Sequence, residues 1–322
     1  GRRLPHARRS LRLFVAVAVA AGTVGVFLAV GWRSAAEHVD KQPFLPLAAW
    51  VDGLIDWLVA TVGNSLTALN DTAVYWIAAL QRFLGTAVAW PLTIAIVMGI
   101  AYHATRRLRL PGLVGGALLF VWLLQLWLPT MQTLSLMIVA IAATLLIGLP
   151  IGILMSRFDR LRAALLPVLD LMQTMPSFVY LVPTVMLFGL GAFSAVLATM
   201  IYAAPPLIRQ VDEEVTEAAI SFGANRRQIL WSVQLPLALP SVMAGVNQAI
   251  MMSLAMVVIA SMIGVEGLGQ QVLRGLMEQR PGTGFAAGLG IVLLAIVLDR
   301  ITQAYGRRGR ATEKAGPGKG KG

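Results

Sequence analysis

Asp170, Gln173, Asn247, Gln248, Glu266 and Asp299 stand within, or at the ends of, stretches that are otherwise almost wholly apolar. An amide or carboxylate in hydrocarbon must find a partner or face water, because leaving it unpaired there is costly. Two roles suit such groups: hydrogen bonding between helices, or contact with a polar solute on a path through the membrane. Gln173, Asn247 and Gln248 are the candidates for such a path. Asp170 follows Pro167 by three residues and is expected near one end of its span. Asp299 abuts Arg300, where a local ion pair and snorkelling suffice. Covalent chemistry finds little support. The sequence holds no GxxxxGK[ST] phosphate loop, no HExxH and no GxSxG. It has no cysteine, and its three histidines, His6, His38 and His103, are far apart. Disulfides and thiolate sites are excluded, a histidine metal site is not expected, and no catalytic residue or bound cofactor is assigned.

A second polar feature is longer. Residues 217–236 read EAAISFGANRRQILWSVQLP, a two-sided segment between two apolar runs. Pro205 and Pro206 are read as the end of the preceding span. Asp212, Glu213, Glu214 and Glu217 then crowd the expected start of a helix, with Arg226 and Arg227 near its end, an order that complements the helix dipole. Ala218, Ala219 and Phe222 form a small apolar face interrupted by Gly223, and a second short helix is expected from Gln228 to Leu235, stopping near Pro236 and Pro240. A solvated loop would explain the charges but not the apolar face. A helix–turn–helix whose Ala and Gly surface lets another protein's backbone approach explains both.

The elements that must position these residues follow from composition. Hydrophobic residues make up 57% of the 322, charged residues 13%, and the mean hydropathy is +0.76. Soluble domains carry about 25% charged residues, so the chain is read as membrane-integrated. Apolar runs able to cross a core about 30 Å thick are read at 13–30, 84–102, 112–129, 131–155, 165–189, 190–208, 241–264 and 283–301. The expected fold is an all-α polytopic membrane protein with about eight spans, the first retained rather than cleaved as a signal peptide. With the N-terminus cytoplasmic, 21 of the 26 Lys and Arg residues fall inside; inversion would reverse that ratio. Both termini are therefore placed in the cytoplasm. Most of the net charge of +11 sits in the two tails, residues 1–12 and 301–322. With no recognition fold beside it, this charge is read as anchoring to anionic lipid, not as nucleic-acid binding.

Residues 1–83 comprise the basic tail, the first span and an amphipathic segment. Trp50, Leu54, Trp57 and Leu58 recur at helical spacing, with Asp52 and Asp56 on another face. This pattern suits either the membrane–water interface or a helix packed on the ends of the spans. Residues 84–305 form the core, with a cytoplasmic loop at 209–240, and 306–322 form a basic, flexible tail. Gly112 with Gly116, Gly148 with Gly152 and Gly284 with Gly288 have the spacing that lets membrane helices pack closely. Pro150, Pro167, Pro176, Pro183, Pro205 and Pro206 lie within or at the ends of spans.

The spacing Glu217-Ala218-Ala219, Gly223, then Val233-Gln234-Leu235-Pro236 resembles the EAA signature of ABC importer permeases, EAA-x3-G-x9-[hydrophobic]-x-L-P. LDLMQTMPSFVYLVPTVMLFGLG at 169–191, PLALPSVMAGVNQAIMMSLAMVVIASMIG at 236–264 and GLGIVLLAIVLDRITQA at 288–304 are similar to the ProW-like permeases of glycine betaine/proline betaine uptake systems. The resemblance implies a type I (MetI-like) permease core in the bacterial plasma membrane. It also implies a second permease copy, two ATPase subunits holding ATP and Mg, and an extracytoplasmic binding protein that delivers the osmolyte. The loop would then be the coupling helix. Glu217, Ala218, Ala219, Phe222, Gly223 and Ala224 would dock on the ATPase, and Leu235 and Pro236 would close the motif. Choline or carnitine are the alternative solutes; a channel or scaffold is the alternative class. The chain departs from the family at one place. Where relatives carry about two further helical turns resembling xTxxGIR, Arg209 here runs almost directly into Val211-Asp212.

Overall fold

The computed structural model describes residues 19–26, 47–222 and 235–314. Among these residues the structure is helical, interrupted by short turns. Contacts divide the chain into two units, residues 1–57 and 58–322. In the first, residues 19–26 are helical and lie inside the expected span at 13–30, whose remainder is outside the described residues. The first unit also contains the start of α1 (Leu47–Arg82). Trp50, Leu54 and Trp57 on that helix are exposed, as are Asp52 and Asp56.

The second unit contains the remainder of α1, a π-helical turn Phe83–Ala87, and nine further helices among the described residues. These are α2 (Trp90–Thr105), α3 (Arg109–Leu123), α4 (Trp127–Arg157), α5 (Asp159–Thr174), α6 (Leu181–Phe188), α7 (Ala192–Phe222), α8 (Leu235–Ala260), α9 (Leu268–Met277) and α10 (Pro281–Lys314). α10 continues as helix into the basic C-terminal region.

Four segments are by themselves long and apolar enough to cross a membrane: Trp127–Arg157, Ala192–Asp212, Val242–Ile263 and Pro281–Gly306. Among the described residues, two bent pairs would raise the number to six; of the eight expected runs, 13–30 lies mostly outside the described residues. The others depart from straight spans at three places. The 84–102 run is broken at Val88 and Ala89, where the chain bends by 105°. Pro91 lies in the first turn of α2, where its missing N–H costs nothing. The 112–129 run is divided by Gln125, which has a left-handed φ of 58°. This leaves α3 at 15 residues, short of the roughly 20 that a span requires. The 165–189 run bends by 115° at Met175–Pro176. Met175 is extended, as the residue before proline prefers, and a 3₁₀ turn Ser177–Tyr180 leads into α6.

Pro205 and Pro206 do not end a helix: α7 runs through both to Phe222. Ala203, Ala204, Leu207, Ile208 and Val211 around them are buried, and that packing holds the helical course across the missing amides. The partner surface is the glycine pair of α4. A Cβ on Gly148 would lie 3.0 Å from the Leu207 side chain. One on Gly152 would lie 2.7 Å from Val211 Cβ and 2.9 Å from the Ile208 carbonyl oxygen. Without a hydrophobic drive between helices in lipid, such close approach is what holds them together. The other two spacings behave differently. Gly112, Gly116 and Gly288 face open space, whereas Gly115 meets Met98 and Gly284 lies near Gly275.

At the opposite end of α4, Gly267 adopts φ 142° beside Thr133, whose hydroxyl accepts the Leu268 amide at 2.9 Å. A Cβ on Gly267 would sit 2.5 Å from that hydroxyl. Gly267→Ala is expected to cost about 2 kcal/mol through backbone strain and to lower the thermal midpoint in detergent.

Candidate functional site

The last turns of α7 carry Glu217, Ala218, Ala219 and Phe222; Gly223, Ala224 and residues 228–234 lie outside the described residues. The second short helix expected from Gln228 lies, up to residue 234, outside the described residues, which resume with Leu235 and Pro236. They open α8, which runs on through Pro240, and Pro236 stands in its first turn, where no donor is needed. Asp212 likewise does not stand at a helix start, since α7 begins at Ala192. The abrupt approach from Arg209 is continuous helix.

Asp212 has an unexpected role. It is 1% exposed and accepts from Arg162 Nε of α5 at 2.8 Å. Its other carboxylate oxygen has no partner among the described residues. One turn earlier on α7, Arg209 pairs with Asp170 of α5. Asp170 is thus tied to another span rather than simply lying at the end of its own. Met155, Leu169, Ala204 and Ile208 fill the seam beside these pairs. Nothing in the sequence assigns Arg162 or Arg209 an acidic partner. The available signal was an acid at Asp212 following buried Leu207, Ile208 and Val211 at helical spacing.

Beyond residues 217–236 in the chain, Asn247 of α8 donates to Asp299 Oδ1 of α10 at 3.0 Å, and Gln303 donates to the same oxygen at 2.7 Å. Asp299 is therefore held by amide donors, and the bond from Asn247 joins two helices. The Asn247 amide oxygen is buried without a partner among the described residues. Asn247→Ala is expected to cost about 1 kcal/mol, the scale of an interhelical hydrogen bond in a membrane, read by denaturant unfolding in detergent. Gln173 and Gln248 are exposed, so the structure does not gather the three amides into one cluster. Glu266, in the turn before α9, accepts from Gln132 of α4 at 2.6 Å.

The ion pairs join α5 to α7, the Asn247–Asp299 bond joins α8 to α10, and His103 Nδ1 of α2 lies 3.2 Å from the Tyr305 hydroxyl of α10. The contacts Gly148–Leu207 and Gly152–Val211 place α4 and α7 parallel. Met243 against Gly306 and Asn247 against Asp299 place α8 and α10 antiparallel. The described helices thus form an apolar bundle fastened by polar contacts between helices at several levels. Residues 145–311, which contain all of α5 to α9, match the family described as binding-protein-dependent transport system inner membrane component. The chain belongs to this family.

Relatives of this permease share its sequence over most of its length. It is 43% identical to the glycine betaine/proline betaine transport system permease protein ProW of Escherichia coli, over 85% of this chain and 80% of that one. It is 42% identical to the glycine betaine/carnitine transport permease protein GbuB of Listeria monocytogenes, over 84% of this chain and 98% of that one. It is 39% identical to the glycine betaine transport system permease protein OpuAB of Bacillus subtilis, over 82% and 96%. The permease is a multi-pass membrane subunit of a transport system.

Proposed function

We propose that the chain is the membrane subunit of an ATP-driven importer of quaternary-ammonium osmolytes, glycine betaine and proline betaine foremost. The observation that carries this reading is the 39–43% identity to betaine permeases over most of the chain, joined to the full EAA spacing at 217–236. A separate ATPase supplies hydrolysis and holds ATP and Mg, an extracytoplasmic binding protein delivers the osmolyte, and a second copy of this chain completes the pathway. Both termini lie on the cytoplasmic side, as the distribution of Lys and Arg requires. Glu217, Ala218, Ala219, Phe222, Gly223 and Ala224 form the surface that the ATPase grips, and its nucleotide-driven closure moves α7 and α8 to open the path alternately to each side. Gln173 and Gln248 are the exposed amides available to a solute.

Uptake into liposomes holding the complete complex, with glycine betaine, proline betaine, choline and carnitine in competition, tests the substrate. Carnitine is the second reading because the name of the Listeria relative includes it. Gly223→Trp is expected to leave membrane insertion intact, reduce ATPase co-purification and lower uptake at least tenfold. Wild-type uptake by that variant would overturn the docking surface.

A further inference from the structure

Arg162 and Asp170 on α5 face Asp212 and Arg209 on α7, so each helix contributes one acid and one base. The earlier residue of α5 meets the later residue of α7, which makes the two helices antiparallel. The alternation of sign makes this contact sensitive to axial position. Sliding α7 by one turn, about 5 Å, would set Arg162 against Arg209 and leave the buried Asp212 without a counter-charge. Like charges repel and unpaired ones are penalised in a low dielectric. The apolar side chains in the same seam, Leu169 and Ile208 among them, distinguish registers far less sharply.

What each helix leads to gives the contact its consequence. α7 continues without a break from Asp212 to Phe222, the segment assigned above to ATPase docking. α5 ends at Met175–Pro176, where the chain turns by 115° into Ser177–Phe188. The Tyr180 hydroxyl donates back across that bend to the Met172 carbonyl and ties its two arms together. We propose that Arg162–Asp212 and Asp170–Arg209 form a register pin that makes α5 move with α7. The four side chains are then positioning residues through which displacement of segment 213–222 reaches the bend at Met175–Pro176. This inference rests on the reading of that segment as the ATPase contact.

The test uses the complete complex in liposomes. Asp170→Asn removes the charge from one pair and leaves the Arg209 guanidinium, whose side chain is 29% exposed, within reach of solvent and of the Asn amide oxygen. It is expected to keep ATPase co-purification, thermal stability and ATP hydrolysis within twofold of the parent. Glycine betaine uptake per ATP hydrolysed should fall at least fivefold, whereas Asp170→Glu, which keeps the pair and the alternation of sign, should hold that ratio within twofold of the parent. A purely structural pair would instead lower stability, hydrolysis and uptake together. That outcome, or an unchanged ratio in Asp170→Asn, overturns the proposal. A second measurement does not depend on the solute. The chain has no native cysteine, so nitroxides at Leu171→Cys and Gln210→Cys report the α5–α7 separation by dipolar broadening. Broadening that is the same with and without ATP in the parent, but changes with ATP in Asp170→Asn, supports the pin. Broadening that changes with ATP already in the parent overturns it. Absence of betaine uptake by the parent complex would count against the substrate alone and leave this second measurement decisive.

Discussion

Arg162→Met is expected to destabilise the folded permease by about 3 kcal/mol. The reason is the group left behind. Asp212 is 1% exposed, and a carboxylate stranded in such a place keeps the desolvation cost while losing the attraction that offset it. Breaking buried pairs by removing one partner costs about 3–5 kcal/mol. The lower end applies here because the Arg162 side chain is 35% exposed, so water screens part of the original attraction. Replacing both partners, Arg162→Met with Asp212→Leu, removes the stranded charge and should recover most of the loss. Unfolding by denaturant in detergent, compared across parent, single and double variants, measures both values. A single variant as stable as the parent would show that Asp212 finds another partner or is neutral. A double variant no better than the single would show that the pair is not the source of the cost.

Gly152→Leu should be comparably damaging for a different reason. The Cβ alone would press on Val211 Cβ and on the Ile208 carbonyl oxygen at 2.7 and 2.9 Å. The latter is backbone of α7, with no flexible end to move aside, so α4 and α7 must separate. Overpacking a filled core costs about 1–3 kcal/mol and occasionally more; the upper figure is expected here, with a matching loss of monodisperse protein after extraction. Gly116→Leu is the control. No atom lies within 4 Å of its added Cβ, so its stability should stay within about 0.5 kcal/mol of the parent, as for an ordinary surface substitution. Equal losses at the two glycines would refute the assignment of the seam to Gly152.

Much of the architecture can be read along the chain. Apolar runs report membrane residence because each residue contributes independently to transfer into hydrocarbon, and a sum over neighbours in sequence is sufficient. The EAA spacing is legible for a related reason: it is a local pattern along one segment. Asn247 is a candidate both for the path and for bonding between helices, since an amide two turns into a span needs a partner; the bond to Asp299 is not visible in the sequence.

The errors share one cause. Prolines look alike in sequence, yet Pro176 coincides with a 115° bend while Pro205 and Pro206 lie inside the unbroken α7. Met175 is free to adopt the extended form, whereas Ala203 to Ile208 are enclosed by neighbouring helices, including the glycine face of α4. Likewise three GxxxG spacings were equivalent on paper, and only Gly148–Gly152 has a partner helix pressed against both positions. Asp212 read as one of four acids near a helix start; its burial and its bond to Arg162, 50 positions earlier, depend on how α5 crosses α7. The sequence alone therefore determined the membrane environment, the helical class and the place of the EAA spacing, because these are sums and spacings along one chain. Which prolines bend, which glycines join helices and which charges pair were decided by tertiary structure, because each depends on the particular surface brought opposite.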